Sequence, residues 1–380
     1  MKTFGKLFII SLVLILSSAL LMAAPASAAN PHNNTPTPSG PTPTPAPLTP
    51  ISIYGAWHCS DDACLWATVR DMNNFDQMNH WLIDRGDGSG LPSVNVVILS
   101  FVNPLKLLNQ TNDAGTVNGV PIGMNQAVID YFESRGIRVM LSIGGITFVN
   151  DWNTALATNG YQLGLNAAAV AQQLGVGIEI DYEENNNPDL VNLQAFIDAY
   201  RSVLPYDATG TNHPARLTID LGAGNRWLVP LNQKAAADWL QPSNPVLDYA
   251  NAMVPNKQPR NAAAAIGNWS EHIDGYLSTT PLAPAKFTGS LFLVPNTGTQ
   301  ILPECIDFST SLQQSTGNFV QSVAPNGSGT TSGMLGYMFW AAECQGNGTC
   351  TTPPNTCEGG MGVAADFYNI PIPLPPLRQQ

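Results

Sequence analysis

Residues 176–184 of the chain have the sequence VGIEIDYEE, in which acidic residues alternate with apolar ones. In a β-strand, residues two positions apart point to the same face. Glu179, Asp181 and Glu183 therefore share one face of a predicted strand. The residues of the opposite face are Ile178, Ile180 and Tyr182. Acidic residues at this spacing are also found on the solvated face of edge strands, but the apolar neighbours of each carboxylate favour a buried strand.

Further apolar runs recur along the chain, each followed by a loop and a helical segment. The predicted strands are Ile51–Trp57, Val94–Phe101, Arg138–Ile143, Val176–Tyr182, Arg216–Leu221, Tyr249–Val254, Ser290–Val294 and Leu335–Trp340. Nearly continuous apolar runs are typical of parallel strands covered on both faces. Eight such strands alternating with helices predict an α/β fold, a single (β/α)8 TIM barrel.

Helical periodicity is clearest in three of the intervening segments. These are Asn125–Arg135, Leu163–Leu174 and Asp189–Leu204. The first two are followed by Gly136 and Gly175, and glycine is typical of a helix end. Two doubly wound domains are the alternative architecture for this length. A dinucleotide-binding domain would carry a Gly-rich loop after its first strand, however, and the chain has Trp57-His58-Cys59 there.

Three carboxyl groups are crowded together on the fourth predicted strand, and this crowding indicates a catalytic role. Burial and like charge both disfavour ionisation, so at least one of Glu179, Asp181 and Glu183 is expected to hold a proton near neutral pH. A protonated carboxyl group is what a general acid requires. The row also lies at the carboxyl end of a strand, where TIM barrels place their catalytic residues.

Both ends of the chain differ in composition from the predicted barrel, which we assign to residues 51–370. Residues 1–29 are predicted to be a signal peptide, with Lys2 and Lys6 before an apolar run and Ala26-Ser27-Ala28 as a cleavage pattern. An uncleaved membrane anchor is the alternative. Residues 30–50 form a Pro/Thr-rich linker and residues 371–380 a Pro-rich tail. The chain is therefore expected to be secreted and extracellular, and free of membrane after removal of the signal.

The net charge of the chain excludes some classes of binding partner. The 380-residue chain has 15 Lys and Arg against 27 Asp and Glu, a net charge of −12. This balance argues against nucleic acid and anionic membranes as partners. A neutral polar ligand such as a sugar fits better, and we expect a monomer.

The 6 cysteines of an exported chain favour disulfides. Cys59–Cys64 and Cys344–Cys350 are plausible local pairs, which would leave Cys305 with Cys357. Free buried thiols are the alternative. No metal site is predicted, because no C-x-x-C spacing occurs and the histidines are scattered.

Motifs along the predicted barrel resemble glycoside hydrolase family 18, which contains chitinases and endo-β-N-acetylglucosaminidases. Residues 177–183, GIEIDYE, resemble its D-G-x-D-x-D-x-E signature, with Val176 in place of the first Asp. Residues 142–145, SIGG, resemble its S-x-G-G on the third strand. Residues 54–57, Ser100-Phe101 and residues 336–340 resemble its first, second and last strands.

The resemblance implies a substrate-assisted retaining mechanism without a cofactor. Glu183 would protonate the glycosidic oxygen, and the 2-acetamido oxygen of the substrate would attack the anomeric carbon. Asp181 would orient the acetamide N–H and stabilise the developing positive charge. Glu179 would share a proton with Asp181 in place of the family's Asp.

The resemblance also implies the residues that contact the sugar. These are Trp340, Trp57, Tyr54, Phe101, Asn256, Met253 and Trp227. The sixth strand departs from the family pattern M-x-Y-D, because the chain has Met253-Val254-Pro255-Asn256 there. Pro255 cannot supply the hydroxyl of the missing Tyr, which Tyr54 or Tyr249 could replace. Trp152 follows the third predicted strand and Trp227 the fifth, and each of the two is either a subsite or a core residue.

These observations predict a chitinase-like enzyme that cleaves β-1,4-linked N-acetylglucosamine chains, with chitin or its oligosaccharides as the partner. An endo-β-N-acetylglucosaminidase acting on N-glycans shares the same strand. A chitin-binding lectin on the same fold is the alternative from another class. The substitution of Pro255 favours the lectin, whereas the Asp181–Glu183 pair favours an enzyme.

Overall fold

The computed structural model describes residues 53–59, 64, 66–83, 92, 94–253, 262–292 and 334–340. The predicted signal peptide, linker and tail lie outside these residues, as do Pro255, Asn256 and the four cysteines from Cys305 onward. Within the described ranges, none of the helices is both long and apolar enough to cross a membrane.

Eight parallel strands close into a barrel in the order of the chain, each pairing with the next and the last with the first. The strands are β1 (Ile53–His58), β2 (Val96–Val102), β3 (Arg138–Gly144), β4 (Gly177–Asp181), β5 (Leu217–Leu221), β6 (Ala250–Ala252), β7 (Phe287–Phe292) and β8 (Gly336–Trp340). The predicted TIM barrel is confirmed. Each of these strands overlaps one of the predicted runs.

The boundaries differ most at β6 and β7. Strand β6 has 3 residues rather than the predicted six, because the regular ladder with β5 ends at Ala252. Strand β7 begins at Phe287, ahead of the prediction at Ser290. The polar residues Thr288 and Ser290 interrupt the apolar pattern there, yet both are fully buried inside the barrel.

Helices of different length cover the outside of the barrel. They are α1 (Phe75–Met78), α2 (His80–Ile83), α3 (Pro104–Leu108), α4 (Gln126–Glu133), α5 (Val149–Leu174), α6 (Leu190–Val203), α7 (Val229–Lys234) and α8 (Ala262–Ile273). A two-stranded ribbon, Thr116–Val117 with Val120–Pro121, lies between α3 and α4.

Local side chains define where these helices begin and end. The side-chain oxygens of Asn125 and Asp189 accept hydrogen bonds from the first turns of α4 and α6, which fixes the two starts. Gly175 ends α5 in the left-handed region with φ of 76°. The prediction for α5 was wrong at its start, since the helix begins 14 residues before Leu163. A non-helical residue, Asn159, divides it and breaks the periodicity on which the prediction depended.

The barrel interior has an apolar floor and a polar layer above it. The floor is formed by Ile53, Val96, Ile98, Met140, Tyr249 and Met338, which pack together. Nearer the carboxyl ends of the strands, the buried side chains are Ser100, Ser142, Glu179, Asp181, Thr218, Asp220, Asn251, Thr288 and Ser290. The floor closes the barrel beneath the polar layer, so polar chemistry is confined to the carboxyl ends of the strands.

One of the predicted disulfides lies within the described residues. Cys59 follows β1 and is bonded to Cys64, with the two Cα atoms 4.6 Å apart. The pairings proposed for the other cysteines remain predictions.

Candidate active site

The acidic residues of β4 occupy the polar layer as the alternation predicts. Glu179 is fully buried and Asp181, the last residue of the strand, is 4% exposed. Glu183 lies two residues beyond the strand end and is partly exposed. Ile178, Ile180 and Tyr182 pack in the apolar layer between barrel and helices. The three carboxylates thus form a row that runs from the barrel interior to its rim.

Glu179 is held from two sides by N–H donors. The indole Nε1 of Trp57 on β1 donates to Oε1 at 2.8 Å, and Nδ2 of Asn251 on β6 donates to Oε2 at 2.6 Å. The hydroxyl of Thr288 in turn donates to Oδ1 of Asn251 at 2.6 Å, which sets the orientation of the amide. Glu179 is therefore fixed on both oxygens by side chains of two other strands, which lie on either side of β4 in the barrel.

The end of β4 is held in place by hydrogen bonds to the backbone carbonyl of Asp181. This oxygen accepts hydrogen bonds from the backbone N–H of Gly145 and from Nε1 of Trp152, both at 3.0 Å. Trp152 is fully buried in α5. Of the two interpretations of Trp152, the structure supports the core residue, and it gives the indole N–H a definite role in holding the end of β4.

Gly144 makes this fastening sterically possible. A Cβ atom at Gly144 would lie 1.8 Å from the carbonyl oxygen of Asp181 and 2.3 Å from Nε1 of Trp152. Its φ of 127° also belongs to a region that L side chains rarely adopt. The glycine of the third strand is thus required by the close approach of β3 and β4.

Replacing Gly144 with Ala is expected to lower the free energy of unfolding by about 3 kcal/mol or more, because neither clashing group can move without breaking a hydrogen bond. Gly175→Ala is the matched control: φ is also positive there, but no atom lies within 4 Å of the added Cβ. That control is expected to cost only about 1–2 kcal/mol of backbone strain. Urea denaturation of both variants measures the difference, and equal losses would contradict the steric argument.

Contacts on both sides fix the loop that carries Glu183. The Tyr182 hydroxyl donates to Oδ1 of Asn153 at 2.5 Å and accepts from the N–H of Asp189 at 3.1 Å. Glu184 accepts from Nδ2 of Asn153 at 3.1 Å. The backbone N–H of Ile146, in a single 3-10 turn after β3, donates to the Glu183 carboxylate. The Glu183 carboxylate therefore lies beside the loop that follows β3.

Burial governs the protonation of the row. It raises the pKa of Glu183 to about 7, against the opposing effect of the Ile146 N–H. Burial also raises the pKa of Asp181 well above its usual range, and the charges of Glu183 and Glu179 raise it further. For Glu179, burial raises the pKa while the donors from Trp57 and Asn251 oppose the rise. These effects favour the protonated form of Asp181, and near neutral pH Glu183 can both hold and release a proton.

Asp181 has an unused hydrogen-bonding atom at the centre of the row. Its Oδ1 is buried and makes no hydrogen bond to the described part of the chain. A buried polar atom without a partner is uncommon in folded proteins. Its position between Glu179 and Glu183 makes it available to a bound ligand.

Two further polar residues of the site were not predicted from the sequence. Asp220 on β5 is 3% exposed and its carboxyl group contacts that of Glu179. Asn251 on β6 holds Glu179 as described above. Both are polar residues within buried, largely apolar strands, so the pattern was present in LTIDL, where Thr218 is a second polar residue, and in YANAM. A search for polar residues at the inward positions of all eight predicted strands would have identified Asp220 and Asn251.

An aromatic wall stands beside the acidic row. The rings of Phe101 and Trp340 are stacked with centroids 5.7 Å apart and planes 27° apart. The Trp57 ring lies 6.4 Å from Trp340. Phe101 and Trp340 are partly exposed, whereas Trp57 is 3% exposed. Partly exposed rings at the end of a closed barrel offer an apolar face to a ligand.

If the exposed ring of Trp340 contacts a sugar as predicted, replacing Trp340 with Ala should raise KM for an oligosaccharide about tenfold with a smaller change in kcat. Trp340→Phe keeps an aromatic face and serves as the control, with KM within about threefold of the parent. Steady-state kinetics on a soluble oligosaccharide measures both constants. An unchanged KM in the Ala variant would exclude Trp340 from the binding surface.

The structure places other predicted sugar contacts away from the row. Tyr54 is 1% exposed and packs against Phe339, with ring centroids 4.7 Å apart, in the layer between barrel and helices. Its side chain leaves β1 on the outer face, the opposite of Trp57, so the expectation that Tyr54 contacts a sugar is wrong. Tyr249 lies in the apolar floor and donates to Sδ of Met140 at 3.9 Å. Neither tyrosine can therefore replace a hydroxyl at the rim.

Met253 and Trp227 follow the ends of β6 and β5 and are partly buried against the outer core. They lie at the same end of the barrel as the acidic row, and their contact with a sugar remains a prediction. Asn256 lies outside the described residues.

Within the described residues, no group of three His, Cys, Asp or Glu side chains is arranged to hold a metal ion.

No family model and no curated protein sequence matches the chain. Among solved structures, a GH18 chitinase from Pseudoalteromonas aurantia is similar with 18% identity over 66% of this chain and 86% of its own, at a TM-score of 0.46. Chitinase ChiA74 from Bacillus thuringiensis has 13% identity over 84% of this chain and 70% of its own, at a TM-score of 0.47.

A GH18 chitinase from Cycas revoluta in complex with allosamidin has 15% identity over 76% of this chain and 94% of its own, at a TM-score of 0.44. These structures belong to the family that the sequence motifs resemble. At such low similarity they carry no argument about the reaction of this chain, which has to be inferred from its own side chains.

Proposed function

We propose that the chain is a glycoside hydrolase that cleaves β-1,4-linked N-acetylglucosamine polymers such as chitin, with retention and with assistance from the substrate's acetamido group. The observation that carries this proposal is the buried row of Glu179, Asp181 and Glu183, in which burial raises the pKa of the outermost carboxyl group to about 7. We further propose that it acts outside the cell as a monomer, in line with the predicted signal peptide.

Glu183 has the properties of a general acid. A carboxyl group whose pKa is close to the working pH can both hold a proton and release it to a leaving oxygen. Its partial exposure at the rim allows contact with a glycosidic oxygen, while the Ile146 N–H stabilises the carboxylate after proton transfer.

Within the described part of the chain, neither of the other two carboxyl groups of the row is suited to attack the sugar. A conventional retaining hydrolase uses an ionised carboxylate as its nucleophile. Burial and its acidic neighbours raise the pKa of Asp181 well above its usual range, which favours the neutral form of this residue. Glu179 is fully buried and both of its oxygens accept hydrogen bonds. A nucleophile from the substrate itself, the 2-acetamido oxygen, accounts for this arrangement.

Asp181 is suited to orient that acetamido group. Its buried Oδ1 has no partner among the described residues and can accept the acetamide N–H. Such a hydrogen bond points the acetamide oxygen toward the anomeric carbon and stabilises the charge that develops there. The wall formed by Phe101 and Trp340 supplies an apolar face for the pyranose ring.

The proposal is tested with chito-oligosaccharides, fully deacetylated oligosaccharides and a high-mannose glycopeptide. We expect cleavage of the acetylated chains alone, with the β-anomer as the first product by NMR. Equal turnover of acetylated and deacetylated chains would exclude substrate assistance. Cleavage restricted to the glycopeptide would identify an endo-β-N-acetylglucosaminidase. Binding without any product would identify a lectin.

A further inference from the structure

Asp220 is a buried acidic residue to which the proposed reaction assigns no task. It is on β5, and its register partner on β6 is Asn251, the residue that donates to Glu179. Its side chain is 3% exposed and contacts the Glu179 carboxyl group. The titratable groups that face it are Glu179, Asp181 and Glu183, all acidic. A fourth ionised carboxylate in this position would be strongly destabilised.

We propose that Asp220 is a neutral carboxyl group that donates a hydrogen bond to Glu179 and so positions Glu179 as a carboxylate. This inference rests on the proposed function, since it names a positioning residue for that reaction. It changes the assignment of one hydrogen bond: the O–H group whose hydrogen bond Glu179 accepts belongs to Asp220 rather than to Asp181. Asp181 is then free to turn its own carboxyl group to the substrate.

The donors around the pair indicate which of the two acids is ionised. Both oxygens of Glu179 accept N–H groups, from Trp57 and from Asn251, and such donors favour the carboxylate. Asp220 has the opposite surroundings: its Oδ1 is buried without a partner in the described part of the chain. Burial raises the pKa of Asp220 well above its usual range, and the charges of Glu179 and Asp181 raise it further. The shared proton therefore belongs to Asp220.

Orientation of the Asn251 amide supports the same assignment. The Thr288 hydroxyl donates to Oδ1 of Asn251, and the NH2 group of the same amide faces Glu179. An amide NH2 can donate to a carboxylate but cannot accept from a protonated acid. Trp57 is also only a donor, so both N–H groups that reach Glu179 favour its ionised form, and an O–H group on Asp220 would add a third donor.

The first test measures the proton directly on the free protein. Infrared difference spectra near neutral pH are recorded for the parent, for Asp220→Asn and for Asp198→Asn, which removes an exposed carboxylate from α6. We expect Asp220→Asn to lose intensity in the carbonyl band of protonated carboxyl groups and Asp198→Asn to leave that band unchanged. An unchanged band in Asp220→Asn would overturn the proposal, whatever the enzyme activity.

The second test measures the positioning role. Asp220→Asn keeps an N–H donor of similar size, so kcat for a chito-oligosaccharide should stay within about threefold of the parent. Asp220→Ala removes the donor, and kcat should fall about tenfold to a hundredfold, the effect of one hydrogen bond to a charged group. Losing that donor should also raise the pKa of Glu179, so the acidic limb of the kcat profile should move to higher pH only in Asp220→Ala.

The two tests fail separately. Parent-like activity and an unmoved acidic limb in Asp220→Ala would overturn the positioning role. If Asp220→Ala does not fold, Asp220→Asn decides the positioning role. A displaced acidic limb of its kcat–pH profile would overturn the role. A parent-like acidic limb together with the lost infrared band would support it. A parent protein that cleaves none of the substrates would refute the proposed function, while the infrared result would still decide where the proton is.

Discussion

Replacing Glu183 with Gln is expected to lower kcat for chito-oligosaccharides by about a thousandfold, within the range of about 10²–10⁴ that a positioned general acid contributes. The amide has nearly the same shape but cannot release a proton to the glycosidic oxygen. Binding should therefore persist, and isothermal titration of the variant with an oligosaccharide should give a Kd close to the KM of the parent.

The pH profile of the parent gives an independent measure of the same residue. Because burial raises the pKa of Glu183 to about 7 and the acid must start protonated, kcat should fall as the pH rises through that value. Glu133→Gln is the control, since Glu133 is an acidic residue on α4 outside the barrel, and its profile should match that of the parent. The range to measure runs from about pH 6 to about pH 9, roughly two units above that pKa. A parent kcat that stays constant over this range would contradict the assignment of Glu183 as the general acid.

Changes at Asp181 are expected to have the second largest effect. Asp181→Ala should lower kcat about a hundredfold or more, comparable to the removal of one donor from an oxyanion hole. The physical reason is that the buried Oδ1 atom is placed to orient the acetamide, and no other carboxyl group lies between Glu179 and Glu183 on this strand. Asp181→Asn keeps an acceptor oxygen, so its loss should be smaller.

Comparing the two variants separates orientation from charge. If Asp181 only positions the acetamide, Asp181→Asn should be close to the parent and Asp181→Ala alone should be impaired. If it also stabilises positive charge in the transition state, both should lose kcat with little change in KM. Parent-like kcat in Asp181→Ala would refute a role for this residue in either sense.

The strand pattern was sufficient to predict the barrel, because parallel strands covered on both faces leave long apolar runs in the sequence. The same rule made the acidic residues of β4 conspicuous, and their inward direction follows from the alternation alone. In the structure the same alternation puts Trp57 on the inner face, two positions from Gly55 and four from Ile53, both directed inward.

Other features depend on contacts between strands that are far apart in the sequence. Asp220 and Asn251 reach Glu179 only because β4, β5 and β6 are neighbours in a closed ring. Tyr54 was misassigned because the family resemblance was applied to residues 54–57 together. Adjacent residues of a strand point to opposite faces, so Tyr54 and Trp57 cannot both face the barrel interior. The hydrogen bond from Trp152 to the end of β4 could not be foreseen either, since it depends on a helical segment whose start the periodicity did not reveal.

Trp57 belongs to two parts of the molecule at once. Its ring stands beside Trp340 in the aromatic wall, and its Nε1 donates to Glu179. Under the proposed function, a saccharide on the exposed ring of Trp340 lies next to the indole that holds the innermost acid. If binding moves that indole, the hydrogen bond to Glu179 changes with it, and the protonation of Glu179 changes the affinity for the saccharide by the same factor.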